Sequence, residues 1–428
     1  MAEAFRVEGG GRLSGTVTPA GNKNEVLPAI AAALLTEDEV VLDNVPAILD
    51  VRAMLELVES LGAAVEWRGT NTVAIRGRGL RGTSLDSELA KRIRGSILLA
   101  APLLARLGEA IVPEPGGDRI GRRRIDTHLL ALCSLGAEIE DGEQVALRAR
   151  GGLAGCELFL DEASVTATEN AVMAAALAPG ETVILNAAGE PHVRNLCDML
   201  NRMGAEISGH GSNIIRITGV VSLHGTRHRI GPDFLEVGSF IGLAAATRSE
   251  LTVLDASPRD LAMVRIVLSR LGVEFEVDGE AVRVPAEQEL AVHQDFGGAI
   301  PKIDDAPWPG FPADLVSIAL VLATQAEGTV LVHEKMYESR LFFVDRLIDM
   351  GAKIVLCDPH RAVVVGPCRL HGASISSPDI RAGMALLIAA LCAQGVSTIY
   401  NINQIDRGYE RIDERLRALG ANIARVEV

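Results

Sequence analysis

The sequence predicts an α/β protein of two domains, made from six copies of one βαβαββ unit, and three observations carry that prediction. A helix ending in Leu-Gly or Met-Gly and running straight into a short strand occurs six times at near-constant spacing. A second phrase, an almost wholly apolar Ala/Leu helix followed by a polar or Gly-containing turn and a strand, occurs six times out of phase with the first. The pattern breaks once, at Thr226–Asp233, where polar residues and Gly-Pro intervene with three repeats on either side.

The first phrase reads LVESLGAAVEW, LCSLGAEIE, LNRMGAEIS, VLSRLGVEFEV, LIDMGAKIVL and LRALGANIARV. Its glycines are Gly62, Gly136, Gly204, Gly272, Gly351 and Gly420, at intervals of 74, 68, 68, 79 and 69 residues. Gly suits the left-handed position that ends a helix, and the alternation after it reads as a strand. The second phrase includes LPAIAAALLTEDEVVLDNV, NAVMAAALAPGETVILNA and VSIALVLATQAEGTVLVHE. A helix apolar on all sides belongs inside a layer of other elements, whereas the amphipathic helix ending at each Leu/Met-Gly belongs outside. Each unit is then strand, inner helix, strand, outer helix and a strand pair. An α-solenoid is disfavoured because strands follow every helix and the period exceeds that of usual solenoids. The opening strand, Phe5 to Pro19, is free to pair with the second half, so the chain crosses between domains near Ala20–Lys23 and again near Gly231. The domains expected are 23–231, and 1–22 with 232–428. Two crossings make a hinge around a cleft, a usual place for ligands.

Composition bounds the function. At 428 residues the chain has length for two ordinary cores, and a net charge of −15 argues against coating nucleic acid or an anionic membrane. Any anionic ligand must therefore be met by local Arg and Lys. MAEAFRVEGG lacks the basic-then-apolar order of a signal peptide, and Ser96 to Ala105, a long apolar stretch, is broken by Pro102 and too short to span a membrane. A cytoplasmic protein is expected. Cys133, Cys156, Cys197, Cys357, Cys368 and Cys392 show no CxxC and read as buried small hydrophobes in a reducing compartment. The histidines are dispersed and no acidic cluster has metal-ligand spacing. Gly-rich GGGR at 9–12 lacks GxGxxG and is a turn.

Charged residues gather where inner helices begin: Lys23 and Asn24, Arg94, Glu169 and Asn170, Asp233 and Glu236, Asp314, and Asp379 and Arg381. Helix N-termini present unpaired N–H groups and favour anions. Acids there serve equally well as caps, a reading that stays open for Glu169 and Glu236. Arg or Lys at a helix start opposes the dipole, so ligand binding is the better reading for Lys23, Arg94 and Arg381. PGGDRIGRRRIDTH, Pro115 to His128, crowds Arg119, Arg122, Arg123 and Arg124 beside Asp118 in a Gly-flanked loop. A mobile lid over phosphate is favoured there over a solvated charge run. Arg340 and Arg407 occupy matching places before outer helices, and the bland alternative for each is a surface ion pair. With Lys23, Arg94, Arg123 and Arg381 they would form a strongly cationic pocket.

NKN near the start, PGGD-x-IG-x-R, FPADL, ESR, DIRAG and IDRGYERI together resemble, over essentially the whole chain, the UDP-N-acetylglucosamine 1-carboxyvinyltransferases. These are enolpyruvyl transferases related to 5-enolpyruvylshikimate-3-phosphate synthase, whose DKS and NAGTA signatures are missing here. The resemblance implies a two-domain inside-out α/β barrel, three βαβαββ units per domain, with helices inside and sheets outside. It implies transfer of the enolpyruvyl group of phosphoenolpyruvate to the 3'-hydroxyl of UDP-N-acetylglucosamine, the step that begins peptidoglycan synthesis, with no metal or organic cofactor. By motif match, Lys23, Arg94, Arg123 and Arg407 grip phosphoenolpyruvate with Arg340 and Arg381 beside them. Asp314 stands at the attacking hydroxyl as base, Asn24 and Asp233 line the same cleft, and Ser164, Val165 and Thr166 stand where the family places the nucleotide. Asp118 occupies the position of a catalytic cysteine, as in a subset of the family, which implies resistance to fosfomycin, an alkylator of that thiol. The departures from the pattern are Arg124 after Arg123, Thr166 in SVTAT, Gly189 and His192 in AGEPH, Phe234 after Asp233, and Ala313 in FPAD. They fall on the acceptor side. An enolpyruvyl transferase for another uridine nucleotide such as UMP, or a repeat protein that binds an anion without catalysis, are the rival readings.

Overall fold

The computed structural model describes residues 3–118, 120–140 and 144–428. Its contacts divide into two compact units, Gly21–Asp118 with Arg123–Gly231, and Met1–Ala20 with Arg119–Arg122 and Pro232–Val428. Each unit has its own hydrophobic core, residues 26–230 in one and residues 5–17 with 234–423 in the other.

All six outer helices end as the Leu/Met-Gly phrase predicts. Gly62, Gly136, Gly204, Gly272, Gly351 and Gly420 all have positive φ, between 78 and 107°. In each case the N–H of the next residue returns to a carbonyl five positions back, as in Ala205 to Leu200 at 3.0 Å and Val273 to Leu268 at 3.2 Å. This bond satisfies a carbonyl that the helix end would otherwise leave open, and the next residue's side chain (Ala63, Ala137, Ala205, Val273, Ala352 or Ala421) is buried against the core.

The sheets repeat one plan. In the third unit Glu157–Phe159 lies parallel to Glu181–Leu185, the strand after the inner helix, which pairs antiparallel with Ile214–Thr218, itself paired with Glu206–Ser208. Among the described residues five sheets have four strands. The second unit has three, because its first strand shrinks to a single parallel bridge between Ser84 and Ile111. Strands borrowed from elsewhere complete three sheets. Arg227–Arg229 runs parallel to Glu39–Asp43 in the first unit, and Ser14–Val17 parallel to Glu250–Val253 in the fourth. Glu3–Glu8 lies between Val396–Tyr400 and Asn422–Glu427 in the sixth.

Inside each set of three sheets the inner helices pack on one another. In the 232–428 unit these are Phe234–Ala246, Ala313–Gln325 and Ile380–Cys392, buried on almost every face. Their close approach depends on small residues: a Cβ on Gly238 would stand 2.7 Å from Leu315 Cδ1, and one on Gly242 2.4 Å from Ile318 Cγ2. In the 21–231 unit the inner elements are Lys23–Ala32, Val165–Ala175 and the Arg94–Leu99 3-10 turn leading into Ala100–Leu107. Among the described residues no helix is long and apolar enough to cross a membrane. The cysteines are free thiols, and Cys357 departs from the expectation of burial by lying exposed on a strand.

Candidate functional site

In the 232–428 unit the three inner helices begin at one place, and a single side chain establishes it. Arg381, in the first turn of Ile380–Cys392, donates from Nε to Asp314 Oδ2 (3.1 Å) at the start of the second helix. Its Nη2 lies 4.0 Å from Asp233 Oδ2 at the start of the first. Asp233 and Asp379 cap their helices, accepting from Leu235 and Glu236 N–H and from Arg381 and Ala382 N–H respectively. Asp314 is held between two guanidiniums, since Arg340 Nη2 donates to its other oxygen at 2.8 Å. Arg381 also donates to the Tyr409 hydroxyl (3.1 Å), which meets Ser239 Oγ. Burial pushes the Asp233 carboxyl up to about 6, against the opposing pull of Arg381. Arg407 closes the short Asn403–Asp406 helix and donates to Gln404 Oε1 at 2.8 Å.

The 21–231 unit holds the other predicted residues. Asn22 caps the first inner helix through Asn24 N–H, and the helix's first residue, Lys23, pairs with the buried Asp50 at 2.7 Å. Arg94 reaches the loop that follows Asp118, donating to the carbonyls of Arg123 (2.6 Å) and Arg124 (2.9 Å). The glycines before Asp118 allow close approach: a Cβ on Gly116 would stand 1.7 Å from Lys91 O, and one on Gly117 3.0 Å from Arg94 Cβ. Arg119 lies outside the described residues.

Ser164 caps Val165–Ala175, its hydroxyl accepting from Ala167 N–H. In the first turn of that helix Thr166 meets His128 Nε2 at 3.0 Å, while Asn170 Nδ2 meets His128 Nδ1 at 2.9 Å and the Ile97 carbonyl at 3.0 Å. An amide nitrogen can only donate, so Nδ1 accepts and Nε2 carries the ring proton to Thr166. Burial, helped by Arg94, pushes the imidazole down to about 3, so it is neutral.

Two expectations need correction. Glu169 and Asn170 do not start the helix, because Ser164 caps it and both lie a turn or more inside; Glu169 is fully buried and pushed well above the ordinary carboxyl range, first by burial and then by Glu190. Glu236 is in the first turn, yet it is held by Arg415 (2.6 Å) and accepts from Ala20 N–H (2.6 Å). Lys23, Arg340 and Arg381 each have an acid partner; a buried cation is costly without one. Three of the departures from the family pattern are buried. Phe234 is buried edge-on to Trp308 at 5.8 Å, and His192 and Ala313 are also buried. The sequence reading passed over His128, Asp50 and Tyr409, although His128 and Tyr409 stand inside two of its motifs. Among the described residues no group of three His, Cys, Asp or Glu side chains is arranged to hold a metal ion.

A family model for EPSP synthase (3-phosphoshikimate 1-carboxyvinyltransferase) matches residues 7–416. The chain belongs to this family. Within it, the chain is 56% identical over 419 residues to the UDP-N-acetylglucosamine 1-carboxyvinyltransferase of Treponema denticola, covering 98% of both chains. It is 57% identical to the protein of that name from Bradyrhizobium diazoefficiens, covering 99% of this chain and 98% of the other. Among solved structures it is similar to the enolpyruvyl transferase NikO from Streptomyces tendae, with TM-score 0.88, 26% identity and coverage of 100% and 99%. The EPSP synthase of Acinetobacter baumannii, at TM-score 0.76 and 19% identity over the full length of both chains, shares the fold. The family's two-domain inside-out α/β architecture is therefore the fold of this chain, a carboxyvinyltransferase.

Proposed function

We propose that the chain transfers the enolpyruvyl group of phosphoenolpyruvate to the 3'-hydroxyl of UDP-N-acetylglucosamine and releases phosphate, in the cytoplasm. The observation that carries this reading is 56–57% identity along 98–99% of the chain to two UDP-N-acetylglucosamine 1-carboxyvinyltransferases. In the proposed reaction the acceptor oxygen bonds to C2 of phosphoenolpyruvate while C3 gains a proton. The tetrahedral adduct then loses a C3 proton and the C2–O bond to phosphate, leaving the enol ether. That chemistry asks for cations at carboxylate and phosphate, a base at the hydroxyl and an acid at C3.

Lys23, Arg94, Arg123 and Arg407 are assigned to the donor, with Arg340 and Arg381 beside it. Asp314 is assigned the hydroxyl proton; its ion pairs with Arg340 and Arg381 hold the carboxylate in one orientation. Asp118 is assigned the proton at C3. Ser164, Val165 and Thr166 are assigned to the nucleotide, where the helix end offers N–H groups and Thr166, accepting from His128, keeps its own O–H for a ligand. Asn24 and Asp233 complete the set. Asp233 already accepts two backbone N–H groups, so its part is to fix the helix start.

Phosphate release measured with phosphoenolpyruvate and a panel of acceptors tests the reading. Turnover is expected with UDP-N-acetylglucosamine; turnover with UMP alone transfers the assignment to another nucleotide, and none with any acceptor leaves an anion-binding protein.

A further inference from the structure

Glu334, just past the strand Gly328–His333, is completely buried and neither carboxyl oxygen has a hydrogen-bond donor. Its Oε2 lies 3.9 Å from Arg340 Nε, a buried N–H that makes no hydrogen bond, while Arg340 Nη2 holds Asp314. The fully buried Asp305 also acts on it, and its two oxygens accept the N–H groups of Lys335 and Met336. The charged groups acting on Glu334 are thus Arg340, Asp305 and Asp314, and Arg340 in turn feels Asp379 and Tyr337. An ionised carboxylate buried with no donor is costly, and a second one beside it more so. Asp305 accepts the two backbone N–H groups; Glu334, which accepts none, keeps the proton. Burial, with Asp305 adding to it and Arg340 opposing, pushes Glu334 up to about 9.

We infer that Glu334 is a positioning residue for the proposed reaction: as an un-ionised acid beside the Nε of Arg340, it leaves that guanidinium to Asp314 and so fixes the Asp314 carboxylate for the acceptor hydroxyl. The inference rests on the assignment of Asp314 as base. An ionised Glu334 would compete with Asp314 for Arg340. A neutral group of the same shape would not, which makes the amide a faithful substitute and an apolar side chain a poor one.

Glu334→Gln and Glu334→Met separate these roles. The Gln variant is expected to keep kcat within about threefold of wild type, with the acidic limb of its pH–rate profile unmoved. The Met variant, of similar length and free of polar atoms, is expected to lose on the order of 10²-fold in kcat, with that limb shifted and the KM for phosphoenolpyruvate little changed. The infrared difference spectrum of wild type minus the Gln variant at neutral pH should carry the band of a protonated carboxylic acid, a readout that stands even if the Met variant does not fold. A Gln variant as impaired as the Met variant, a Met variant like wild type, or a difference spectrum with only carboxylate bands overturns the role of Glu334. Absence of wild-type turnover overturns the functional reading instead, and leaves the infrared result to decide the protonation state.

Discussion

Asp118 shows what one residue decides. The family resemblance places a cysteine there, and the cysteines of this chain lie elsewhere in its sequence. Preincubation with fosfomycin should therefore leave phosphate release unchanged, and time-dependent irreversible inactivation would contradict the assignment of Asp118. His128 makes a second prediction. Folded, it stays neutral down to about pH 3; unfolded, it protonates near its ordinary 6.5. The unfolded state binds more protons in that window, so stability is lost as pH falls from 6.5 towards 3, by about 1.4 kcal/mol per pH unit from this group. Urea unfolding across that range should show the His128→Gln variant losing less stability than wild type. Parallel curves would mean that the imidazole titrates normally in the folded protein. Neither His128 nor its partners could be read as a cluster from sequence, because Thr166 and Asn170 stand 38 and 42 residues away.

At the scale of the element, what was legible was local. The six glycine stops depend on one residue with positive φ and a short-range return bond, so they are written within a few consecutive positions. Inner and outer helices are told apart by apolar periodicity, which the burial of Phe234–Ala246 and Ile380–Cys392 bears out. How closely those helices approach is another matter. Gly242 lies in an apolar run and admits Ile318 of the neighbouring helix. Gly242→Val should overpack that contact and cost about 1–3 kcal/mol in denaturant unfolding. A variant as stable as wild type would show that the helices move apart without penalty. For Glu169 the Ser164 cap shows that it lies inside the helix, and packing from distant parts of the chain makes it a buried acid.

Across the whole molecule the chain is stitched rather than laid end to end. Residues 3–8 supply a central strand to the sixth sheet, paired with both Val396–Tyr400 and Asn422–Glu427. A chain lacking residues 3–8 should lose hydrogen-exchange protection at 396–400 and 422–427 and unfold the 232–428 unit at lower denaturant, because two strands lose their ladder partner and Phe5 and Val7 leave the core. Protection unchanged in those strands would contradict that account. The sequence by itself determined the six-fold repeat, its glycine stops, the inner and outer helices and the residue types gathered at the helix starts, since each is set by contacts within a few positions. The tertiary structure decided which sheet each borrowed strand completes, that Arg381 ties three helix starts to Asp314 and Asp233, and that Lys23 and Arg340 come with acid partners. Those outcomes depend on burial and on charge pairing between residues distant in the chain, where the cost of an uncompensated buried charge, rather than local propensity, selects the arrangement.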